Sequence, residues 1–355
     1  MMLETNERAP LYAIDLFCGS GGVTLGLKNA GFQVVGALDF DPKVCDTYAA
    51  NHPEVHLVRD DIRKITPDVF ESVIDHPLAL MAICAPCQPF SSQNRKRDEK
   101  DHRSELILET IPFVKRFKPA MIFVENVPGL RNNKVFSRFR AKLRKEHYDV
   151  SDPVRLDAAD LGVPQRRIRM VMVAAKGVNL EDAIAIADVA RISVREAIGN
   201  LPTPPTGPRK DADDPMHVAR RHSELNIRRM THIPLNGGGR SSLPEELVLN
   251  CHKSRKASSF SDTYGRMSWD DVSPTLTTGC TDITRGRFIH PEQHRAITTR
   301  EAARLQSFPD SYVFLGNQGE VSAQIGNAVP PRMMEVIAKN MIRALLGSLD
   351  VNPAS

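Results

Sequence analysis

Short apolar runs recur through the first half of the chain, at residues 11–17, 33–38, 55–58, 78–83 and 120–124. Each is strand-length, and 78–83 is flanked by Pro77 and Pro86, which predicts five strands with that one buried. The stretches between them read as helices. One stops at Gly31, a good residue for a left-handed helix end. A second starts with Asp41 as N-cap and Pro42 in the first helical position. A third spans 104–117, where apolar residues recur at helical spacing. A further strand is expected at 168–174. Repeated β-α units predict an α/β fold with a doubly wound, mostly parallel sheet, right-handed crossovers and strand order 3-2-1-4-5.

After about Ala175 the pattern loosens. Residues 202–208 are proline-rich, paired arginines stand at 220–221 and 228–229, and glycines occupy 237–239. This predicts a smaller loop-rich domain over 176–290, following a first domain over 1–175. Regularity returns where Thr298 and Glu301 form a capping-box pattern. A last helix from Pro331 carries the apolar stripe Ile337, Met341, Leu345 and Leu346, so 291–355 is expected to complete the first domain. No internal repeat is visible.

Composition narrows the class. The 355 residues are 41% hydrophobic and 25% charged, with a formal charge of +4. That is ordinary for a soluble globular chain and permits a nucleic-acid partner without requiring one. No apolar stretch approaches the ~20 residues of a membrane span, and the N-terminus lacks a signal-peptide pattern. Six irregularly spaced cysteines fit reduced thiols in a cytosol.

Three segments carry candidate chemistry. The turn from Phe17 to Gly22 follows the first strand, with Asp39 ending the second where ribose hydroxyls would lie. The dinucleotide fingerprint needs glycine where Thr24 stands, so a nucleoside cofactor without a diphosphate fits better. Cys87 follows Pro86 at the end of strand four, and Glu125 ends strand five; in the expected sheet these two and the glycine turn converge on one rim. A thiol nucleophile beside an acid suits covalent catalysis with proton donation. Cys84 and Cys87 also form a C-x-x-C, which a dithiol redox site or half a zinc site would share. Zinc needs two more ligands, and only scattered Cys251, His252 and Cys280 are available; Pro89 sits badly in a thioredoxin-type helix. Arg167 and Arg169, two apart, read either as a solvated basic edge or as paired guanidiniums for phosphate or a base carbonyl.

The motifs Phe17-x-Gly19-x-Gly21, Pro86-Cys87-Gln-Pro-Phe-Ser91, Glu125-Asn-Val127, Gln165-x-Arg167-x-Arg169, Arg304-Leu-Gln-Ser-Phe-Pro309 and Gln324-Ile-Gly-Asn-Ala-Val-Pro330 occur in that order. In this the chain resembles the DNA (cytosine-5) methyltransferases of bacterial and phage restriction–modification systems, from about Ala13 to Leu346. Tyr264 to Trp269, Pro274 to Thr278 and Gly286 to Pro291 resemble the segment leading out of the family's target-recognition domain. Three positions depart from the usual pattern: Cys84 and Ser104 stand where glycine is common, and Asp39 replaces a glutamate while keeping the carboxylate.

The resemblance implies an S-adenosylmethionine-dependent methyltransferase fold and methyl transfer to carbon 5 of a cytosine flipped out of duplex DNA. Cys87 would add to carbon 6, Glu125 would serve nitrogen 3, Arg169 would hold the cytosine carbonyl, and Arg167 would support the site. Phe17, Gly19 and Gly21 would shape the cofactor's amino-acid end, Asp39 would take the ribose, and Phe40 would stack on adenine. Asp61 and Ile62 would border the adenine, with Pro86, Leu106 and Asn327 nearby. Gln88, Ser91, Arg95 and Arg97 would meet DNA from a loop after the nucleophile, and Arg240, Lys253, Arg255 and Lys256 would grip the backbone from the 176–290 domain. No metal is implied. The partner would be double-stranded DNA, with no membrane, the enzyme acting as a cytoplasmic monomer associated with the nucleoid. Two related readings compete. A tRNA-modifying relative usually carries a Cys-Phe-Thr tripeptide that this chain lacks. A catalytically silent DNA-binding relative would not keep Cys87, Glu125 and Arg169 together.

Overall fold

A computed structural model describes residues 9–86, 102–184, 189–207, 213–250 and 262–351. Strand β1 (Leu11–Leu16) leads through the glycine turn into α1 (Gly22–Ala30). That helix ends at Gly31, left-handed at φ +112°, whose N–H donates to the Leu27 and Lys28 carbonyls. Strand β2 (Phe32–Asp39) follows, and the Asp41 side chain caps α2 (Pro42–Asn51) by accepting the Lys43 N–H. Next come β3 (His56–Arg59), β4 (Leu78–Ile83), α3 (Ile111–Phe117), β5 (Met121–Asn126) and α4 (Lys134–Lys145). Strands β6 (Asp149–Val150), β7 (Val154–Asp157) and β8 (Ile168–Ala175) and helix α5 (Leu180–Ile184) follow.

The segment expected to be one helix over 104–117 is split. A 3-10 helix runs from His102 to Thr110, and only then does α3 begin. Pro112 fits the break: it has no N–H for the Leu108 carbonyl, so it is tolerated in the first turn of a new helix but not inside a continuous one.

The sheet order is β3-β2-β1-β4-β5-β8-β6, with β7 pairing β8. Strands β1 to β5 are parallel and in the expected order, so winding reverses between β1 and β4. Strand β8 runs antiparallel to β5, with Glu125 opposite Val171 and Asn126 opposite Met170. All six residues of β4 and of β5 are buried, as a sheet covered on both faces requires. Phe136, Phe139 and Leu143 of α4 are fully buried in the same core as Ile83, Val124 and Met172.

The chain forms two compact units: residues 1–156, 168–187 and 334–355 make the first, and 157–167 and 188–333 the second. Residues 291–333 therefore group with the second unit, although the sequence pattern placed them with the first. Packing accounts for the difference. Helix α6 (Val194–Ile198) lies against α8 (Thr299–Leu305), which lies against α9 (Gln318–Asn327); α7 (Glu224–His232) belongs to the same unit. The capping box at Thr298 and Glu301 forms as expected. Helix α10 (Pro331–Val351) supplies buried Ile337, Met341 and Leu345 to the first unit.

The second unit is loop-rich and has a small apolar cluster around Met230, Ile233, Tyr264 and Ile289. Much of its order comes from Arg266, which is wholly buried. Its guanidinium donates to the carbonyls of His290 (2.6 Å), Gln293 (2.9 Å) and Met230 (2.9 Å), and pairs with Nδ1 of His294 (3.1 Å). Irregular backbone leaves carbonyls without ladder partners, and this one side chain satisfies them. Gly326 lets the end of α9 press on the neighbouring main chain, since a Cβ there would overlap the Thr277 carbonyl. Among the described residues no helix is long and apolar enough to cross a membrane.

Candidate active site

The parallel strands of the first unit end on one rim. Phe17, just past β1, takes a left-handed conformation (φ +65°) and starts the glycine turn. Gly19 is also left-handed (φ +52°), and a Cβ on it would meet nothing within 4 Å, so the turn opens outward. Its N–H donates to Oδ2 of Asp39 (2.9 Å), while Oδ1 accepts from the Asp41 N–H (3.0 Å). Burial pushes the Asp39 carboxyl above its usual range, against the pull of these amides. Gly21 is the N-cap of α1. Phe40, beside Asp39, is 63% exposed, an unusual place to leave a phenyl ring.

Asp61 caps the short 3-10 turn Ile62–Lys64 through the Arg63 N–H. The Arg63 side chain grips the same carboxylate and holds it down at about 2. Ile62 is buried, and its turn packs against the one carrying Leu106. Pro86 stands half-buried past the end of β4. An outward-opening glycine turn, a carboxylate at the neighbouring strand end and an exposed ring fit a nucleoside cofactor. Asn327 ends α9 in the second unit and is exposed.

At the same rim, Glu125 is the last residue but one of β5 and is 7% exposed. Its Oε1 forms an ion pair with Nε of Arg169 at 2.9 Å. Arg169 also donates to the Ile168 carbonyl (2.8 Å), which fixes the orientation of its fork. The reversed direction of β8 makes this possible, because it brings the start of β8 to the end of β5. Next to Glu125, the Asn126 amide donates to the Ala85 carbonyl (2.9 Å) and its oxygen accepts the Val127 N–H (2.8 Å). Sequence reasoning gave Asn126 no role, yet it ties the end of β5 to the segment two residues before Cys87. Cys87 itself lies outside the described residues, as do Gln88, Ser91, Arg95, Arg97, Lys253, Arg255 and Lys256.

Two features beneath the rim bear on the chemistry. The Cys84 thiol is pushed well above its ordinary range by burial, with the Glu125 and Asp15 carboxylates adding to the effect. A thiol held neutral in this way is a poor half of a dithiol redox couple. Below the glycine turn, Thr24 donates to Oδ2 of Asp15 (2.8 Å) and meets the Tyr48 hydroxyl at 2.8 Å. Since the single Thr24 proton goes to Asp15, Tyr48 is the donor in the second bond. All three residues are fully buried, and burial pushes Asp15 up to about 7.

The solvated-edge and paired-guanidinium readings are both corrected for Arg167. It is 2% exposed and donates to the main-chain carbonyls of Leu276 (3.1 Å), Gly326 (3.0 Å) and Ala328 (3.0 Å) in the second unit. Gln165 accepts the Leu276 N–H (3.0 Å) and donates to Gln306, which donates to the Ala328 carbonyl (2.6 Å). One buried network thus joins three motifs that stand far apart in the chain. Unpaired carbonyls in a loop-rich unit demand such donors, so Arg167 holds backbone rather than phosphate. Arg240 opens a 3-10 turn, Arg240–Ser242, after the glycines at 237–239.

Comparison with known proteins agrees with this geometry. A family described as C-5 cytosine-specific DNA methylase matches residues 11–343. The type II methylase M.HgiDII of Herpetosiphon aurantiacus is 39% identical over 349 residues, covering 94% of this chain and 96% of the relative. The type II methyltransferase M.DdeI of Desulfomicrobium norvegicum is 32% identical, covering 92% and 88%. Among solved structures, a DNA modification methyltransferase encoded within an E. coli prophage superimposes with a TM-score of 0.74 at 25% identity, covering 95% of this chain and 99% of that one. The S. pombe Dnmt2 methyltransferase shares the fold, at 19% identity and a TM-score of 0.60 over 94% and 99%. With that match over nearly its whole length, the chain belongs to the C-5 cytosine-specific DNA methylases, enzymes that move a methyl group from S-adenosylmethionine to carbon 5 of cytosine.

Proposed function

We propose that this protein modifies one cytosine within a specific duplex sequence as the methylating half of a type II restriction–modification system, with Cys87, Glu125 and Arg169 as its catalytic residues. The observation that carries the reading is the Glu125–Arg169 ion pair at the rim, beside the Asn126 tie to Ala85. The target carbon is inaccessible inside a duplex, so the base must swing out to reach this rim.

Carbon 5 of cytosine is a weak nucleophile. The Cys87 thiolate forms a bond to carbon 6, and the displaced π electrons move through carbon 5 towards nitrogen 3, where Glu125 supplies a hydrogen bond or proton. Arg169 turns part of its fork to the base carbonyl. As it does so, the countercharge at Glu125 weakens, which favours proton sharing with nitrogen 3. Bound S-adenosylmethionine supplies an electrophilic methyl group for carbon 5. Loss of the carbon-5 proton then returns electrons to the ring and expels the thiolate, for which cysteine is a good leaving group. Phe17, Gly19, Gly21 and Asp39 hold the cofactor's polar parts, and Phe40, Asp61, Ile62, Pro86 and Leu106 border its base.

Segment 176–290 reads the sequence, with Arg240, Lys253 and Arg255 on phosphates and Gln88, Ser91, Arg95 and Arg97 on the DNA near the nucleophile. The enzyme acts as a monomer in the cytoplasm, on nucleoid DNA. Incubation with genomic DNA and S-adenosylmethionine, followed by base-resolution mapping, tests the proposal. It is upheld by 5-methylcytosine at one recurrent short sequence, and contradicted by methyl groups on exocyclic nitrogens or scattered without sequence preference.

A further inference from the structure

Helix α4 carries Lys134, Arg138, Arg140, Lys142, Arg144 and Lys145 among its twelve residues and no acid. Buried Phe136, Phe139 and Leu143 fix which side faces the core. At about 100° per residue, Lys134, Arg138, Lys142 and Lys145 fall in one outward stripe about 16 Å long. Arg144 lies on the other flank, and only small Ser137 and Ala141 separate the two rows.

Nearby acids neutralise part of this charge. Arg138 reaches Glu105 at 3.4 Å, Arg140 reaches Asp152 at 2.8 Å, and Glu146 is taken by Lys115 at 3.4 Å. Arg131, Lys134, Lys142, Arg144 and Lys145 are exposed and have no ion-pair partner among the described residues. Helix electrostatics explain only some of them. Lys142, Arg144 and Lys145 suit the negative end of the helix dipole, but Lys134 in the first turn and Arg131 ahead of it oppose the positive end.

The face extends away from the active rim. The chain leaves β5 at the rim through a 3-10 turn, Pro128–Asn132, before entering α4. At the far end of the helix the Tyr148 hydroxyl donates to the Pro119 carbonyl (2.7 Å), next to the start of β5. Lys118 lies at that same end, and Lys176 sits 4.4 Å over the Tyr148 ring. A base extruded at the rim does not occupy this end of the sheet.

We infer that the outward face of α4 is a second contact surface for the phosphate backbone of duplex DNA, separate from the target-base site. Charge complementarity selects this occupant. The helix's apolar side is committed to the core, so it has none to insert into a membrane interface, and the face lacks the aromatic or aliphatic anchors of a protein interface. A row of cations on a rigid rod fits a regular polyanion, and the enzyme's substrate is one. Such a surface holds the enzyme on non-target DNA and leaves chemistry at the target untouched.

The test uses the full chain carrying Lys134→Gln, Lys142→Gln, Arg144→Gln and Lys145→Gln together, beside a charge-preserving Lys/Arg exchange at the same positions. Affinity for a long duplex is measured against salt, and single-turnover methylation is measured on a short duplex holding only the target site. The neutralised variant should lower the slope of log affinity against log salt by about 3–4, at ~0.9 for each phosphate no longer neutralised. Its short-duplex rate should match wild type, and the charge-preserving variant should behave as wild type in both assays. An unchanged slope overturns the inference, as does a loss of binding confined to phosphatidylserine vesicles. A short-duplex rate that falls in step with affinity overturns the separation from the target site. The slope is read independently of catalysis, so its failure is distinct from failure of the methylation proposal.

Discussion

Oε1 of Glu125 lies 2.9 Å from Nε of Arg169, across the junction where the parallel run of strands gives way to antiparallel β8. Were β8 parallel to β5, its first residues would stand at the opposite end of the sheet from Glu125. The reversal therefore builds the site. It also couples the two side chains, since a cation drawn to substrate must loosen its grip on the carboxylate.

Glu125→Gln should slow single-turnover methyl transfer by ~10²–10⁴, the range for general acid help. Arg169→Ala should cause a loss of similar size, and the double variant should be much less impaired than the product of the two losses, as for groups acting as a unit. Rates of the four proteins on one duplex check this. Strictly multiplicative losses would mean that the pair does not act together.

Cys84→Ala should leave methyl transfer within a few-fold of wild type. The Cys84 thiol is held neutral by burial and by the carboxylates around it, so it lacks the thiolate that nucleophilic or redox chemistry needs. Steady-state turnover under reducing conditions checks the point, and a collapse on this substitution alone would revive the dithiol reading.

Asp15 gives stability a pH dependence of known sign. Its carboxyl is raised from 3.8 to about 7 by burial. Below the lower value folded and unfolded chains both hold the proton, and no penalty arises. As pH climbs from 3.8 towards 7 the unfolded chain releases the proton while the folded one keeps it, so stability falls and then levels off. Asparagine does not titrate. The melting temperature of Asp15→Asn relative to wild type should therefore rise between pH 4.5 and 7.5; parallel curves would contradict a raised carboxyl.

Arg266→Met should destabilise the second unit by about 3–5 kcal/mol, the scale for breaking a buried charged network. Arg266→Lys should not rescue it, because an ammonium cannot reproduce the fork that meets the His290, Gln293 and Met230 carbonyls. Chemical denaturation followed through Trp269 in that unit provides the measurement. A shift below 1 kcal/mol would show that the carbonyls find other donors.

The first five strands, their order and the helix caps at Gly31, Asp41 and Thr298 were legible because each rests on local signals. A buried strand needs an apolar run, and a cap needs a particular residue type. The direction of β8 was not legible, since the run 168–174 looks the same in either sense. The partners of Arg167 were not legible for a related reason: two arginines spaced by two look alike, and only the fold decides that one meets Glu125 and the other main-chain carbonyls. Arg266, Asn126 and the Asp15–Thr24–Tyr48 chain were missed because buried polar partners are chosen by tertiary structure.

The most direct test is covalent trapping on a duplex carrying 5-fluorocytosine at the mapped target. Fluorine cannot leave as the carbon-5 proton does, so an enzyme that adds through sulfur should stall, fused to its DNA after methyl transfer. The expected product survives denaturation, contains one methyl group, and gives a peptide–nucleotide link at Cys87, while Cys87→Ser binds the duplex without forming it. A link at another residue, or an equal yield of cross-link from Cys87→Ser, would contradict the account.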